Sequence, residues 1–453
     1  MFNPAEKRSV FSIAGIYGLR MLGLFLILPV FAMYAEGLHG VTPLLVGMAL
    51  GAYGLTMAIL QIPFGWMSDR IGRKPVIAAG LVIFAIGSIV AAMADSIWGV
   101  IIGRALQGAG AIAAALTAML ADLTREDVRL RAMAVIGMTI GMSFTISLIL
   151  APWVDAVIGV KGIFWVTAVL AVLSIVALFT VVPTPETTGR HRDTEAVPTE
   201  FGRILKDGQL LRLDFGIMAL HGVMTAMFIA LPFVLRDQLH IPPVHHAWVY
   251  LPVLLVAMVI MVPMIIMAES KGKMRQVFLT AISGVMLSAL LLGLFHKGMV
   301  AVIGGLLLFF IAYNVLEATL PSLISRLAPI DAKGTAMGVY STSQFLGAFI
   351  GGAGGGWAYG EYGVSGVFLG CAAAMLAWLL LALGQRMPLM LSSQMAHVNG
   401  KLVADTAALE AAILALDGVH EARVVAEENA IFLRVDKQKF DAEALQGVLP
   451  QQA

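Results

Sequence analysis

Long apolar runs alternate with short polar segments from residue 10 to residue 385. The runs cover 10–34, 43–67, 75–94, 97–122, 131–154, 161–182, 212–235, 245–268, 276–296, 298–325, 334–358 and 363–385. About 20 apolar residues suffice for a helix to cross the hydrocarbon core, so each run predicts one spanning helix. The first run lacks a small-residue cleavage site and is expected to be retained as a helix. The polar segments hold their cations unequally. Nineteen Lys and Arg fall on one side, against only Lys161, Arg236 and Lys297 on the other. The excess marks the cytoplasmic side and predicts that both termini lie there.

Composition agrees. Of 453 residues, 59% are hydrophobic and 13% charged, which excludes a soluble globular enzyme and implies a polytopic protein in a lipid bilayer. Cys371 is the single cysteine, so no internal disulfide is possible. The 47 glycines suit close helix contacts in lipid. Pro183, Pro185, Gly189 and Pro198 sit in a charged linker that divides the runs six and six. The expected organisation is a bundle over 1–182, a linker over 183–211, a second bundle over 212–385, a short linker over 386–395 and a soluble domain over 396–453. The halves echo each other: Asp127, Ala132, Met133 and Val135 recur 204 residues later as Asp331, Ala336, Met337 and Val339. Glu269 to Lys273 forms a weaker echo of a charged turn at 65–75. Such a repeat predicts two pseudo-symmetric bundles with a path between them.

In the tail, Asp405 is placed as a helix N-cap ahead of Leu409, Ala412, Ile413 and Leu416 on one face. Val419 to Ala426, and Ile431, Leu433 and Val435, read as strands; Asp441 caps a further helix. With a short strand near His397–Asn399, the order βαββα is similar to small ferredoxin-like domains related to heavy-metal-associated domains. Those that bind metal carry C-x-x-C in the first loop. Here that loop is Asn399-Gly400-Lys401-Leu402, so no soft-metal site is expected. Nine acids against five bases in the tail suit docking on the basic loops, and equally a solvated surface.

The chemistry-bearing stretch is the turn Gly65-Trp66-Met67-Ser68-Asp69-Arg70-Ile71-Gly72-Arg73-Lys74-Pro75. A positive loop accounts for its cations but not for Gly65, Asp69 and Gly72 at their spacings. The pattern G-x-x-x-D-R-x-G-R-K resembles the loop 2–3 signature of the major facilitator superfamily. The resemblance implies a conformational latch of Gly65, Asp69, Arg70, Gly72, Arg73 and Lys74. In it, Arg73 pairs with Asp122, and Asp69 faces the positive end of the helix opening near Gly334.

Ionisable groups inside a membrane are costly and so are functional candidates. Arg20, Arg104, His221 and Glu317 lie within runs, with Asn314 one turn before Glu317. Glu36, Asp122, Asp214 and Glu269 lie near run ends and read as interfacial. Arg104-Ala105-Leu106-Gln107-Gly108 resembles the R-x-x-Q-G signature of proton-coupled members of the superfamily, and Leu28-Pro29-Val30-Phe31 the first-span proline signature of its drug:proton antiporters. The resemblance implies that Arg104 tunes a neighbouring acid. Glu317 is the expected proton carrier, with His221 second; a structural role for Glu317 stands beside that reading. Arg20 could pair with Glu317 or another acid, or line an anion-accepting cavity. One departure is plain: Gly137-x-x-x-Gly141 is present, but Met142 replaces the proline of the antiporter signature. The bland reading of these glycines, and of Gly347, Gly351 and Gly355, is packing.

No P-loop, nucleophile–base pair or metal-ligand cluster is present in the sequence, so no ATP-driven step, enzyme activity, cofactor or metal is expected. The basic loops follow from topology and need no nucleic acid. The resemblance implies a proton-coupled antiporter that exports a small amphipathic or drug-like molecule. Nutrient symport, or solute sensing through the tail, are the alternatives.

Overall fold

The computed structural model describes residues 2–184, 200–329, 332–387, 392–397, 406–425, 430–435, 439–441 and 444–445. Among them the protein is mostly helical. Its principal helices are α1 (Pro4–Phe25), α2 (Phe31–Ala35), α3 (Pro43–Ile71), α4 (Arg73–Met93), α5 (Ile97–Ala109), α6 (Ala113–Asp122), α7 (Glu126–Thr180), α8 (Phe201–Ile204), α9 (Gly208–Phe233), α10 (Ala247–Ser270), α11 (Met274–Phe295), α12 (Met299–Leu327) and α13 (Lys333–Leu383). Nine helical segments among the described residues are long and apolar enough to cross a membrane.

Local sequence sets the ends. Asn3 and Glu6 form a capping box on α1, Thr42 caps α3 ahead of Pro43, Ser96 caps α5 and Asp207 caps α9. Gly159 (φ 68°) and Gly363 (φ 63°) interrupt α7 and α13 with backbone that other residues rarely adopt. Gly159 falls between two predicted runs and Gly363 opens one, so each long helix is two helices meeting at a glycine.

Three expectations are corrected. The run 10–34 is not one helix: α1 ends at Phe25, and turns lead to α2. Pro29 has no N–H to give and its ring crowds the Phe25 carbonyl four residues back. The run 97–122 keeps its expected bounds as one span, with α5 and α6 meeting at a break inside it. The linker over 183–211 already holds α8 and the start of α9, because Asp207 caps the latter early. In the tail, strand β1 (Ser392–His397) begins inside the expected linker of 386–395. Its register follows backbone pairing with β3 (Ala430–Val435), from Ser392 opposite Val435 to His397 opposite Ala430, which a polar strand does not announce.

The tail's sheet has the order β1-β3-β2, all antiparallel, with β2 at Val419–Val425. Helix α14 (Thr406–Leu414) covers it with Ile413 over Ala422, Val424, Ile431, Leu433 and Val435. The expected cap Asp405 and most of the helix after Asp441 lie outside the described residues. Arg434 pairs with Glu421 at 3.0 Å and also donates to the Ala328 carbonyl at the end of α12.

In the membrane region the first half of α13 lies between α3 and α9. Glycine makes both contacts possible. A Cβ on Gly47 would meet the Gly352 carbonyl oxygen at 1.9 Å; one on Gly351 would meet the Gly222 oxygen at 2.0 Å. Backbones this close are available only to glycine.

Candidate functional site

Three groups of polar side chains stand out. The first is the turn between α3 and α4. Gly72 ends one helix and opens the next at φ 105°, a conformation that favours glycine. Arg73 becomes the first residue of α4 and folds inward. Its Nε donates to Asp122 Oδ2 at 2.9 Å, and its Nη1 to Ser68 Oγ at 2.9 Å and to Asp69. Arg73 and Asp122 side chains are 1% and 0% exposed, so the pair is buried within the protein at the end of α6. A cation at a helix start opposes the helix dipole; the two carboxylates offset that. Lys74 donates to the Val182 carbonyl at 2.7 Å, and the Arg70 guanidinium lies 3.8 Å over Trp66. Gly65 lets α3 approach Ala114 of α6.

The second group lies inside the half before the linker. Arg20 is buried and donates to Tyr53 Oη and the Gly110 carbonyl, each at 2.9 Å. That carbonyl sits at the break between α5 and α6, where helical pairing stops. Arg104 donates to Gln107 Oε1 at 2.9 Å and, more weakly, to the Ala49 and Leu50 carbonyls. Gln107 in turn donates to Ser88 Oγ at 2.8 Å. Tyr53 lies within cation–π reach of both guanidiniums. The R-x-x-Q-G spacing thus puts Arg104 and Gln107 one turn apart in one network, and Gly108 admits the Tyr53 backbone. The structure does not bring Arg20 or Arg104 to Glu317: their hydrogen bonds end on neutral oxygens and on the sulfur of Met57 within their own half. Of the partners left open for Arg20, Glu317 is therefore not one it bonds to in this structure, and the hydrogen bonds of Arg104 reach no acid.

The third group lies in the half after the linker. His221 Nε2 is 2.7 Å from the Gln344 amide nitrogen and 3.8 Å from Glu317 Oε1. Tyr313 packs beside His221 and stacks with Phe144 of the other half at 6.4 Å. Glu317 is 38% exposed, and its Oε2 has no hydrogen-bond partner. Asn314 is partly buried one turn away.

Other features escaped the sequence reading. Asp214 is 4% exposed, and neither carboxylate oxygen has a hydrogen-bond partner. Gln61 donates to Thr342 Oγ1 at 2.9 Å and joins the halves through α3 and α13. On the face opposite the 65–75 turn, Arg236 grips both Glu36 oxygens at 2.6 and 3.2 Å, and Trp153 meets Trp248 edge-on. Glu269 pairs with Arg326, and both are about one-third exposed. Glu6 accepts from Arg125 Nε at 2.8 Å; with the Asn3 backbone, these bonds hold its carboxyl down at about 2. Pairs of distant residues leave no mark in local sequence spacing. The glycine signal also divides: Gly347, Gly351 and Gly355 meet α9 closely, whereas nothing lies within 4 Å of a Cβ on Gly137 or Gly141. Packing does not explain the latter two.

Residues 13–352 match the sequence profile described as Major Facilitator Superfamily. The inner membrane transport protein YajR of Escherichia coli K12 is 43% identical over 435 residues, 96% of this chain and 95% of that one. Multidrug resistance protein MdtH of Yersinia enterocolitica is 25% identical over 303 residues, 65% of this chain and 73% of its own. The crystal structure of a D-xylose-proton symporter superposes with a TM-score of 0.66 at 14% identity, over 83% of this chain and 98% of that one, which establishes a shared fold.

Proposed function

The chain belongs to the Major Facilitator Superfamily, whose members are transporters and not enzymes, and on that premise we propose that it exports a small amphipathic solute in exchange for protons. The single observation that carries the proton part is Glu317. It is a carboxylate in a spanning helix, next to His221, with one oxygen unbonded and the side chain partly open. The names of the relatives, an inner membrane transport protein and a multidrug resistance protein, support the location and the solute class.

The architecture we propose has twelve spans in two six-helix bundles, with both termini cytoplasmic and a ferredoxin-like tail. Counting α7 and α13 as two helices each, and adding α1 to the nine segments, supports that number. The cation bias of the loops supports the orientation.

Alternating access then needs a contact between halves at each face. Arg236–Glu36 and Trp153–Trp248 are the contacts on the outer face in the described state. The buried Arg73–Asp122 pair, with the partly exposed Asp69, is the rigid part of an inner latch, held against the bundle by Lys74 and Gly65. Contacts of this size bias a two-state equilibrium rather than fix it.

The test uses everted membrane vesicles with a pH-sensitive dye and a panel of cationic, neutral and anionic solutes. Solute-dependent alkalinisation of the lumen, abolished by Glu317→Gln, is the expected result. Unchanged proton movement in Glu317→Gln would sink the role of Glu317. Proton movement of the opposite sign would replace export by symport.

A further inference from the structure

The end of α13 at Gly384 gathers cations from three segments of the chain. Arg212, near the start of α9, donates Nη1 to the Gly384 carbonyl at 2.6 Å. Arg275, near the start of α11, donates Nη2 to the adjoining Leu383 carbonyl at 3.0 Å. The two guanidiniums end on neighbouring carbonyls and so share one corner of the protein. The Arg212 guanidinium lies flat against Gly384, where a Cβ would meet its Cζ at 3.2 Å. Arg386 follows two residues on. Its backbone N–H donates to Gln209 Oε1 at 2.8 Å, and the Gln209 amide reaches the Gly384 carbonyl at 3.5 Å. Gln209 thus fixes Arg386 beside the other two.

Two ordinary causes put cations here: loop charge follows topology, and a cation at a helix C-terminus offsets the helix dipole. The other half shows how far they go. There Arg8 donates to the Val181 carbonyl at 2.9 Å and Lys74 to the Val182 carbonyl at 2.7 Å, so two cations close span six as Arg212 and Arg275 close span twelve. Capping accounts for that shared pair. It does not account for Arg386 or Gln209: the residue two places after Val181 is Pro183, and the residue three places before Arg8 is Ala5. Nor is the charge balanced. Among the described residues no carboxylate pairs with Arg212, Arg275 or Arg386, and the Arg386 guanidinium, exposed, makes no hydrogen bond. The acids nearest in sequence are committed elsewhere or sealed: Asp207 accepts from the Gln209 N–H at 2.8 Å to cap α9, and Asp214 is buried. Each guanidinium carries five N–H donors, so most of them are left over. Directly beside the cations, Leu380 and Leu383 are 61% and 53% exposed on the membrane-spanning part of α13.

We propose that this corner is a binding site for an anionic phospholipid, whose phosphate is held by Arg212, Arg275 and Arg386 and whose acyl chains lie along Leu380 and Leu383. On the orientation proposed above, the lipid belongs to the cytoplasmic leaflet. Guanidinium forks match phosphate oxygens in pairs, and basic pockets between spans on this side of a membrane suit such headgroups. Three cations less the roughly half charge of the helix end leave more than two positive charges, which suits the two phosphates of cardiolipin better than one. A free phosphate ion would satisfy the guanidiniums without using the leucines. Because Arg212 and Arg275 are already held by carbonyls, little side-chain ordering remains to oppose binding. The bound headgroup bridges α9, α11 and the end of α13.

The experiment is native mass spectrometry of the full-length protein in detergent, with cardiolipin and phosphatidylcholine added in equal amounts. The wild type should retain cardiolipin over phosphatidylcholine by at least about tenfold. Arg386→Gln touches no bond within the protein. It should keep the lipid-free melting temperature and lower cardiolipin retention about fivefold. Replacing Arg212, Arg275 and Arg386 together by Gln should lower it by at least about tenfold. Arg8→Gln, at the corner that closes span six, should leave retention unchanged. Equal retention of the two lipids by the wild type, or unchanged retention in Arg386→Gln, overturns the proposal. So does a loss in Arg8→Gln as large as in Arg386→Gln, which would make retention a property of any basic corner. A triple variant that loses lipid-free stability but still retains cardiolipin would leave the arginines as helix caps only. Excess inorganic phosphate should displace no more lipid than chloride of equal ionic strength; greater displacement would make this a free-anion site and overturn the phospholipid assignment.

Discussion

Arg20 and Arg104, in the half before the linker, spend their hydrogen bonds on Tyr53, Gln107 and backbone carbonyls, and no titrating carboxylate is bonded to them. In the half after the linker, Asp214 and Glu317 keep oxygens without partners, and His221 sits between neutral Gln344 and an acid more than 3.5 Å away. One half therefore holds permanent charge in a fixed network. The other holds carboxylate oxygens without hydrogen-bond partners. The ends that carry the charged turns differ too. Arg73–Asp122 is sealed from water, whereas Glu269–Arg326, at the weaker echo of the turn, stays about one-third exposed. The half before the linker thus carries the closed charge networks, and the half after it the carboxylates with oxygens left open.

The largest effect should come from breaking the sealed pair. Arg73→Gln leaves Asp122 buried with its guanidinium partner gone, and should cost about 3–5 kcal/mol in thermal unfolding in detergent. The counterpart Arg326→Gln should cost no more than about 1 kcal/mol, because that pair is screened by water. Equal losses would erase the contrast between the two ends.

A middle effect tests the glycines. Gly351→Ala drives a methyl into the Gly222 backbone and should cost about 1–3 kcal/mol or shift α13 on α9. Gly137→Ala meets nothing within 4 Å and should leave stability unchanged. If Gly137→Ala proves as harmful as Gly351→Ala, span five has a packing partner in another state of the cycle.

The smallest effect concerns Glu6, whose carboxyl is held at about 2 against an ordinary value of 4.5. A depressed carboxyl stabilises the fold above its unfolded value and loses that contribution as pH falls from 4.5 towards 2. Glu6→Gln should flatten the acid limb of the stability curve in that window only. A flattening above pH 4.5 would assign the limb to another group.

Apolar periodicity, the charged turn and the R-x-x-Q-G spacing were readable without coordinates, because each is a local rule: helix length against bilayer thickness, a glycine where φ is positive, two side chains one turn apart. The chain alone therefore gave most helix positions, the two strands β2 and β3, and the group of residues at 65–74. The polar strand β1 was misplaced, since only its pairing with β3 makes it a strand. Tertiary structure alone decided which charges meet. It settled the hydrogen bonds of Arg20 and Arg104 on neutral groups of their own half, sealed Asp122, joined Arg236 to Glu36 across 200 positions of sequence, and buried Asp214 without a hydrogen-bond partner. Burial and pairing depend on how helices are rotated against one another. That rotation is set by close glycine contacts spread over distant segments, which no local pattern records.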